Sequence, residues 1–402
     1  MITPKPPYPE VDGGTIAMAN TLEMLQKIAG KVELLCLSTY KHPFYITRFP
    51  VSVREKIPVH NVSVDTRVRP HHLFRMLYGS GSYRASRFYS GEAAQQVEKL
   101  LATGTFTHVW LESVYAAVYL PVIRRYGNIK VILRTHNIEH RIWQNVIRNE
   151  SNPVKKWLLR TENKKLEAFE RDLFRNVDGL VHISPEDAAY AEKIDGHASS
   201  VVVPFGIRTE KYQPVERPDT RKLFHLGAMD WEPNREAMKW FINDIFPGML
   251  AVNPELEFHM AGRGMPQHFL SLRRKNVIAE GEVAEAADFM RHNGVLVVPL
   301  RSGSGVRIKI LEAMAMGIPV ITTSAGMGGI TARKGEHLFT ADSPEEFAQL
   351  ARLLKEAPEK FVEAGLNGRK LIREEYDATA LAERIRLFLI NLAPQNNANV
   401  RG

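Results

Sequence analysis

The sequence has very little cysteine and no long apolar run. Cys36 is the only cysteine among 402 residues, which excludes an intramolecular disulfide and a cysteine-based zinc site and favours a reducing compartment. No stretch approaches the roughly 18 apolar residues that a membrane-spanning helix needs, and the first residues do not form a signal peptide. We therefore expect a cytoplasmic protein. No His-x-Glu-x-His, Cys-x-x-Cys or paired-aspartate cluster predicts a metal site.

The composition is that of an ordinary globular protein, with 44% apolar and 24% charged residues. The length predicts two or three domains. The net charge of +8 is unevenly distributed, because residues 1–208 hold 28 Lys and Arg against 20 Asp and Glu, whereas residues 209–402 hold 25 of each. The basic excess therefore belongs to the first half of the chain.

A segment without acidic residues lies between Asp65 and Glu92, where arginines alternate with aromatic residues. Its arginines are Arg67, Arg69, Arg75, Arg84 and Arg87. Such a segment could bind lipid headgroups, phosphate or nucleic acid. The equally simple alternative is a solvated surface whose aromatic side chains pack inward.

Short apolar runs alternate with amphipathic helical stretches along most of the chain. This pattern predicts doubly wound α/β domains with parallel sheets and helices on both faces. The first strand is expected to be short, since only residues 1–3 precede the first prolines. Residues 209–220 are polar, contain two prolines and predict an interdomain linker. We therefore divide the chain into residues 1–208, residues 209–376, and a C-terminal helix with a polar tail at 377–402.

The densest pattern, residues 297–320, predicts a strand, a glycine loop, a helix over residues 306–316 and a second strand. Gly303 and Gly305 would let the backbone approach a ligand, and Ser304 is the expected N-cap, so free amides would converge on an anion. The first helical turn carries Arg307 and Lys309, although the helix dipole disfavours cations there by roughly 0.3 to 1 kcal/mol each.

A bound diphosphate would explain these cations, together with Arg301 in the preceding loop. Glu312 would lie on the same helical face, where its carboxylate could accept hydrogen bonds from ribose hydroxyls. The alternative is that Lys309 and Glu312 form a surface pair worth under about 0.5 kcal/mol.

Two further features lie in the first half. Gly13 and Gly14 are expected in a turn before a helix that begins near Ile16, and they could either present amides to the same phosphates or have a structural role. His136 and Asn137 follow an apolar strand, at the sheet edge where doubly wound domains bind ligands. A histidine there could contact hydroxyls or a developing charge, or it could be structural.

Several motifs in fixed order resemble family 4 glycosyltransferases over nearly the whole chain. They are residues 6–9 with Gly13 and Gly14, residues 134–139, residues 203–207, residues 226–234, residues 261–264 and residues 311–320. Family 4 glycosyltransferases are retaining enzymes of GT-B architecture, in which two Rossmann-like doubly wound domains face each other across a central nucleotide-sugar cleft.

The resemblance implies that residues 1–208 bind the acceptor and residues 209–376 the donor, with Glu312 on its ribose and His136 near the transferred sugar. The final helix, residues 378–392, would cross back onto the first domain. The expected catalytic residues are His136, Arg307 and Lys309. The expected donor-binding residues are Gly13, Gly14, Asn234, Arg263, Arg301, Ser302, Gly303, Ser304, Gly305, Val306 and Glu312. No metal or cofactor is required, the nucleotide-diphosphate sugar being a substrate.

The chain departs from the family pattern at three places. Ser304 stands where the pattern Glu-x7-Glu has its first glutamate, Phe205 replaces the asparagine usual before Gly206, and residues 226–234 lack the usual Arg and Lys. The chain resembles a subgroup with Gly-Ser-Gly-x-Arg-x-Lys, and we infer that Arg307 and Lys309 neutralise the leaving group.

The expected function is transfer of a hexosyl unit, with retention, to a glycan or polyprenyl-linked acceptor in cell-surface or extracellular polysaccharide biosynthesis. The basic segment from Arg67 to Tyr89 would contact anionic lipid at the inner membrane face. One alternative is a GT-B nucleotide-sugar epimerase. Another is an inactive, basic Rossmann protein that binds nucleic acid. Its positive charge would follow a continuous groove, whereas here the basic excess is confined to the first half of the chain, so no nucleic-acid partner is expected. A dinucleotide oxidoreductase is disfavoured, because the sequence lacks the Gly-x-Gly-x-x-Gly pattern of that class.

Overall fold

The computed structural model describes residues 1–11, 13–67, 79, 81–104, 106–195, 199–301 and 306–392. The chain forms two compact units. The first comprises Met1–Pro204 with the residues from Leu381 onward, and the second comprises Phe205–Ala380. The boundaries therefore lie at 204/205 and 380/381, rather than at the expected 208/209 and 376/377.

The described strands of the first unit form one parallel sheet in the order β3-β2-β1-β4-β5-β6-β7. The strands are β1 (Ile2–Thr3), β2 (Leu34–Ser38), β3 (Val59–Ser63), β4 (His108–Glu112), β5 (Lys130–Thr135), β6 (Gly179–His182) and β7 (Ser199–Val202). The first strand, β1, is short as expected, and it is central in the sheet, between β2 and β4.

Helices cover both faces of this sheet. The longer ones are α1 (Gly13–Ile28), α2 (Gly91–Thr103), α3 (Glu139–Asn149), α4 (Pro153–Asn176) and α5 (Pro185–Asp195). Shorter helical segments are Ile46–Arg48, Val51–Arg54, Tyr83–Ser86, Ala116–Tyr119 and Leu120–Ile123. Alternate residues of β5 enter opposite apolar clusters, Val131 and Leu133 on one face and Ile132 on the other. The unbroken apolar run of this strand is thus explained by burial on both sides.

The second unit has the same architecture, with parallel strands in the order β10-β9-β8-β11-β12-β13. They are β8 (Lys222–Leu226), β9 (Glu257–Ala261), β10 (Val277–Gly281), β11 (Val295–Val298), β12 (Val320–Thr322) and β13 (Phe339–Thr340). The longer helices are α6 (Glu232–Trp240), α7 (Phe246–Val252), α8 (Ala286–His292), α9 (Ile308–Ala315), α10 (Pro344–Glu356), α11 (Pro358–Leu371) and, crossing from this unit to the first, α12 (Ala378–Leu392). Shorter segments are Thr209–Lys211, Phe241–Ile245, Gln267–Leu270 and Ile372–Tyr376.

The expected linker, residues 209–220, packs on the second unit. The Val215 amide donates to the Met316 carbonyl at 2.8 Å, and the Tyr212 hydroxyl donates to Glu312 Oε1 at 2.8 Å. The preceding Ile207 amide is also bonded within this unit, to the Tyr376 carbonyl at 2.7 Å. Because long-range hydrogen bonds hold it, this polar segment does not act as a free linker.

Helix α12 packs against the first unit. Its Leu381, Ile385 and Phe388 enter the apolar cluster that contains Ile132, and Arg384 donates to the Val202 carbonyl at 3.2 Å. Within the described part of the chain, no helix combines the length and apolar character needed to cross a membrane.

The described part of the basic segment does not form an exposed cationic surface. Arg67 is exposed but pairs with Asp65 at 2.9 Å. Arg84 lies over the Trp143 ring, where burial lowers its pKa, and Arg87 is partly buried. Arg69 and Arg75 lie outside the described residues. Arg84 and Arg87 are therefore less exposed than the sequence suggests, and membrane contact through this segment stays a prediction.

Candidate active site

Two glycines from the motifs at residues 226–234 and 261–264 pack together at the carboxyl ends of β8 and β9. Gly262 has a φ of +150°, and a Cβ on it would overlap the Gly227 carbonyl. A Cβ on Gly227 would in turn overlap Lys309 Nζ. Gly262 is therefore needed because backbone occupies the space beside it, whereas Gly227 lies against the end of the Lys309 side chain.

Helix α9 begins at Ile308, and not at residue 306 as the sequence suggests. Arg307 occupies the N-cap position without a side-chain capping bond, so the prediction of Ser304 as N-cap is wrong. Ser302, Gly303, Ser304 and Gly305 themselves lie outside the described residues. Val306 is partly buried just before the helix. The absence of an acid in the first turn leaves the cations of this helix start as its dominant charge.

Burial and mutual repulsion weaken the charge of Lys309. Its Nζ lies 3.5 Å from Asn234 Oδ1, and Asn234 is held by a 2.8 Å bond from its Nδ2 to the Ala228 carbonyl. Burial, and then the charge of Arg307, lower the pKa of Lys309 to about 7. Burial also lowers the pKa of Arg307, whose guanidinium lies 5.6 Å from the centre of the Trp231 ring. An anion placed here would restore the charge of Lys309.

His225, inside β8, is a neighbour of Lys309 that the sequence analysis missed. It is fully buried, and its Nδ1 lies 2.8 Å from the Val297 carbonyl, to which it must donate. Nε2 then carries a lone pair, and no described residue bonds it. Burial, followed by the charge of Lys309, lowers the pKa of His225 well below its usual value. The only sequence signal is a histidine within an otherwise apolar strand. We call His225, Asn234, Arg307, Lys309 and Glu312 the Lys309 cluster.

Glu312 is held by Tyr212 and not by Lys309. The Tyr212 hydroxyl bonds Oε1 at 2.8 Å, whereas Lys309 bonds Asn234, so the alternative of a Lys309–Glu312 surface pair is not what orders these side chains. Burial raises the pKa of Glu312, although Tyr212 and Lys309 oppose this effect.

Arg263 and Arg301 are exposed and do not belong to the Lys309 cluster. Arg263 pairs with Asp230 at 3.1 Å, and both side chains are exposed. Arg301 is exposed, 5.3 Å from the centre of the Trp240 ring. Neither arginine bonds a member of the Lys309 cluster. Among the described residues, no three His, Cys, Asp or Glu side chains come together as a metal site.

In the first unit, Gly13 and Gly14 belong to the first turn of α1, whereas the sequence predicts them in a turn before the helix. A Cβ on Gly13 would meet nothing within 4 Å, so packing does not require a glycine there. Gly14 and His136 line one cavity of about 320 Å³. The structure thus brings these two predicted residues together.

His136 rests on a buried carboxylate that the sequence analysis missed. Its Nε2 donates to Glu112 Oε1 at 2.8 Å, which leaves Nδ1 without a bond from any described residue. Glu112 also accepts from Trp110 Nε1 at 2.6 Å and lies 3.6 Å from Arg134 Nη1. Burial alone would raise the pKa of Glu112, but Arg134 and His136 together lower it. An ionised Glu112 therefore fixes the ring of His136.

Two parallel-sheet α/β units, together with the solved structures described below, identify the fold as GT-B. Residues 220–357, which contain the Lys309 cluster, match the family Glycosyl transferases group 1.

Solved structures share the fold over both units. The structure of Anabaena Alr3699/HepE in complex with UDP superposes with a TM-score of 0.65 and 12% identity, covering 97% of this chain and 98% of that one. Sucrose-phosphate synthase from Thermosynechococcus elongatus superposes with a TM-score of 0.64 and 15% identity, covering 97% of this chain and 98% of that one. WaaG, a glycosyltransferase involved in lipopolysaccharide biosynthesis, gives 0.60 and 14%, covering 96% of this chain and 98% of that one.

An uncharacterized 44.6 kDa protein in the cps region of Klebsiella pneumoniae is 24% identical over 259 residues. The match spans 61% of this chain and 65% of that relative's length.

Proposed function

We propose that the protein is a retaining glycosyltransferase that moves a hexosyl unit from a nucleotide-diphosphate sugar to a hydroxyl of a glycan or lipid-linked acceptor. The observation that carries the proposal is the Lys309 cluster, in which a buried arginine, a lysine with a pKa of about 7 and a tyrosine-held carboxylate meet at one helix start. The family match over residues 220–357 supports the reaction class. The Klebsiella relative supports a role in cell-surface polysaccharide biosynthesis.

In this proposal Arg307 and Lys309 neutralise the leaving diphosphate, so catalysis is mainly electrostatic and needs no metal. Lys309 regains its proton as the diphosphate binds. Glu312, oriented by Tyr212, accepts hydrogen bonds from the ribose hydroxyls. As the bond between the sugar and the leaving phosphate breaks, the acceptor oxygen forms the new bond on the same face, and the acceptor proton passes to the leaving phosphate. His136, fixed by Glu112, contacts the transferred sugar.

A thermal-shift screen with UDP, GDP, ADP and their sugars tests the donor site. One nucleotide should stabilise the wild type and lose its effect in both Arg307→Ala and Glu312→Ala. Arg333→Ala is the matched control, because Arg333 is an exposed residue of the same unit paired with Glu336. Stabilisation that survives both site variants would contradict the proposal. A donor sugar altered without any acceptor would identify the epimerase instead.

We also propose peripheral contact with anionic membrane, at a surface other than the predicted one. The neighbouring ends of α3 and α4 expose Val146, Val154 and Trp157, the last with 57% of its area accessible. We call these residues, with Arg148, Arg160 and Lys164, the Trp157 surface.

Residues 141–165 contain seven Lys and Arg against two acids, one of which, Glu162, is buried. On α4, Trp157, Arg160 and Lys164 follow a spacing of three and four, so they share one helical face. An aromatic side chain amid exposed cations suits an interface with anionic headgroups.

A further inference from the structure

The cavity that holds Gly14 and His136 lies at the carboxyl ends of five neighbouring strands. At least one lining residue follows each of β1 to β5. The cavity volume of about 320 Å³ is within the usual range for ligand pockets. These lining residues are Pro4, Thr39, Thr66, Ser113 and His136. The cavity also spans the point between β1 and β4 where the strand order reverses, which is where doubly wound sheets bind ligands.

The charges around this cavity are mostly positive. Lys5, Lys41 and Arg87 line it, together with His42 and His136. Glu139 is the one acidic residue among the lining residues that the structure describes. An anionic ligand is therefore electrostatically favoured over a neutral or cationic one.

Arg87 is the most informative of these cations. It is partly buried, and within the described ranges it forms no ion pair with a carboxylate and its Nε has no hydrogen-bond partner. Its guanidinium lies 5.3 Å from the centre of the adjacent Phe88 ring. A buried guanidinium nitrogen without a hydrogen-bond partner is costly, and an anion in the cavity would supply the missing partner for Nε.

Glu139 does not supply that counter-charge. Its Oε2 accepts a 2.9 Å hydrogen bond from the Tyr115 hydroxyl, which directs the carboxyl toward Tyr115. Burial, aided by the charge of Glu170 and opposed by Tyr115, raises the pKa of Glu139 to about 7. At neutral pH this carboxyl is therefore only partly charged.

We propose that this cavity binds an anionic group of the acceptor, a phosphate or a carboxylate, and that Arg87 is the side chain that recognises it. The inference rests on the proposed glycosyltransferase function and narrows the acceptor to an acidic one. Because His136 lines the same cavity, the anion anchors the acceptor beside the residue assigned to the transferred sugar.

Isothermal titration calorimetry with glucose 6-phosphate, glucuronate and neutral methyl glucoside tests the proposal. At least one anionic probe should bind the wild type, and about tenfold more weakly to Arg87→Gln, as expected for loss of a charge-assisted hydrogen bond. Arg54→Gln, an exposed arginine of the same unit, is the matched control and should bind the probe like the wild type. Arg307→Gln should also retain the probe but lose the nucleotide.

A further arm uses phosphatidylcholine vesicles that contain phosphatidylinositol. Weaker vesicle binding by Arg87→Gln supports a lipid-borne anion, whereas an effect confined to the soluble probes supports a soluble acceptor. Three results would overturn the inference: binding of methyl glucoside equal to that of the anions, an unchanged affinity in Arg87→Gln, or loss of the anionic probe in Arg307→Gln instead. Failure of every nucleotide to bind, with the Arg87 effect intact, would contradict the proposed function and leave the anion site standing.

Discussion

The Tyr212 hydroxyl donates a 2.8 Å hydrogen bond to Oε1 of Glu312, across a separation of 100 residues along the chain. Tyr212 belongs to the polar segment that the sequence presents as a linker. This segment therefore orients the carboxylate assigned to the donor ribose. If Tyr212 positions Glu312, its loss should weaken the binding of ligands that contain a ribose. A merely structural role would affect the binding of all ligands alike.

Replacing Tyr212 by phenylalanine should lower the affinity for the nucleoside diphosphate about five- to tenfold, since one hydrogen bond to a charged group is lost. The affinity for inorganic pyrophosphate should not change, because pyrophosphate has no ribose. Calorimetric titration of both ligands measures this difference. Tyr126→Phe, which removes a 3.2 Å bond to the Glu98 carbonyl in the first unit, is the control. Equal losses for both ligands would contradict the assignment of Glu312 to the ribose.

Nucleotide binding should weaken as the pH rises above about 7. In the free protein Lys309 has a pKa of about 7, and a bound diphosphate favours the ammonium form and raises this pKa toward the ordinary 10.5. Between these values the complex holds a proton that the free protein lacks, so binding takes up a proton and the affinity falls by up to about tenfold per pH unit.

Calorimetry in HEPES and Tris at pH 8 measures this uptake, because the two buffers release protons with different enthalpies. Lys309→Arg is the control. Because an arginine stays charged, any proton uptake measured with this variant comes from the ligand alone. Identical binding enthalpies in both buffers for the wild type would show that Lys309 does not change its protonation.

Local signals predicted the regular elements well. Periodicity predicts helices over residues 139–149, 153–176, 344–356 and 378–392, and the structure confirms these bounds for α3, α4, α10 and α12. Two of these helices have caps that the sequence displays: the Asn152 side chain accepts from the Lys155 amide and the Ser343 side chain from the Glu346 amide, each cap being followed by a proline. Periodicity also predicts one helix over residues 235–251. The structure has a continuous helical stretch from Glu232 to Val252, which widens to a π-helix at Phe241–Ile245, next to Pro247, which lacks an amide hydrogen. The predicted helix over residues 266–274 is reduced to Gln267–Leu270.

The site was only partly predictable because its order depends on long-range contacts. Periodicity and charge pointed to Arg307, Lys309 and Glu312. His225 and Glu112 carried no comparable signal, because each is a polar residue within an apolar strand and its role depends on partners from other strands. The bond from His225 to Val297, for example, joins residues 72 positions apart.

Replacing Glu112 by glutamine should lower the free energy of unfolding of the first unit by about 3 to 5 kcal/mol. The fully buried Arg134 would lose its opposing charge, and a buried unpaired cation is strongly destabilising. Urea unfolding of the variant measures the loss. Glu98→Gln is the control, because its pair with Arg125 is exposed at the surface and should be worth under about 1 kcal/mol. A similar small effect of both substitutions would show that Glu112 is not needed to balance Arg134.

Membrane binding should depend on the Trp157 surface and not on Arg67. The double variant Trp157→Ser, Arg160→Gln should co-sediment less with phosphatidylglycerol vesicles, since it loses an interfacial aromatic side chain and about 1 kcal/mol of headgroup attraction per cation. Arg67→Gln should bind like the wild type, because Arg67 already pairs with Asp65. If Arg67→Gln has the larger effect, the originally predicted segment is the membrane contact after all.

Gly262 should tolerate no side chain, although it bears no chemistry. Its φ of +150° is unfavourable for other residues, and a Cβ would collide with the Gly227 carbonyl, so Gly262→Ala should destabilise the second unit by about 2 kcal/mol or more. Because Gly227 lies against Lys309 Nζ, nucleotide-induced stabilisation should fall as well. Gly248→Ala is the matched control: it lies in α7 with open space around its Cβ position, and it should raise stability by about 0.5 to 1 kcal/mol. Thermal melts of both variants with and without nucleotide measure these effects. If Gly262→Ala melts like the wild type but no longer responds to nucleotide, the glycine serves the ligand directly and not the packing of β8 against β9.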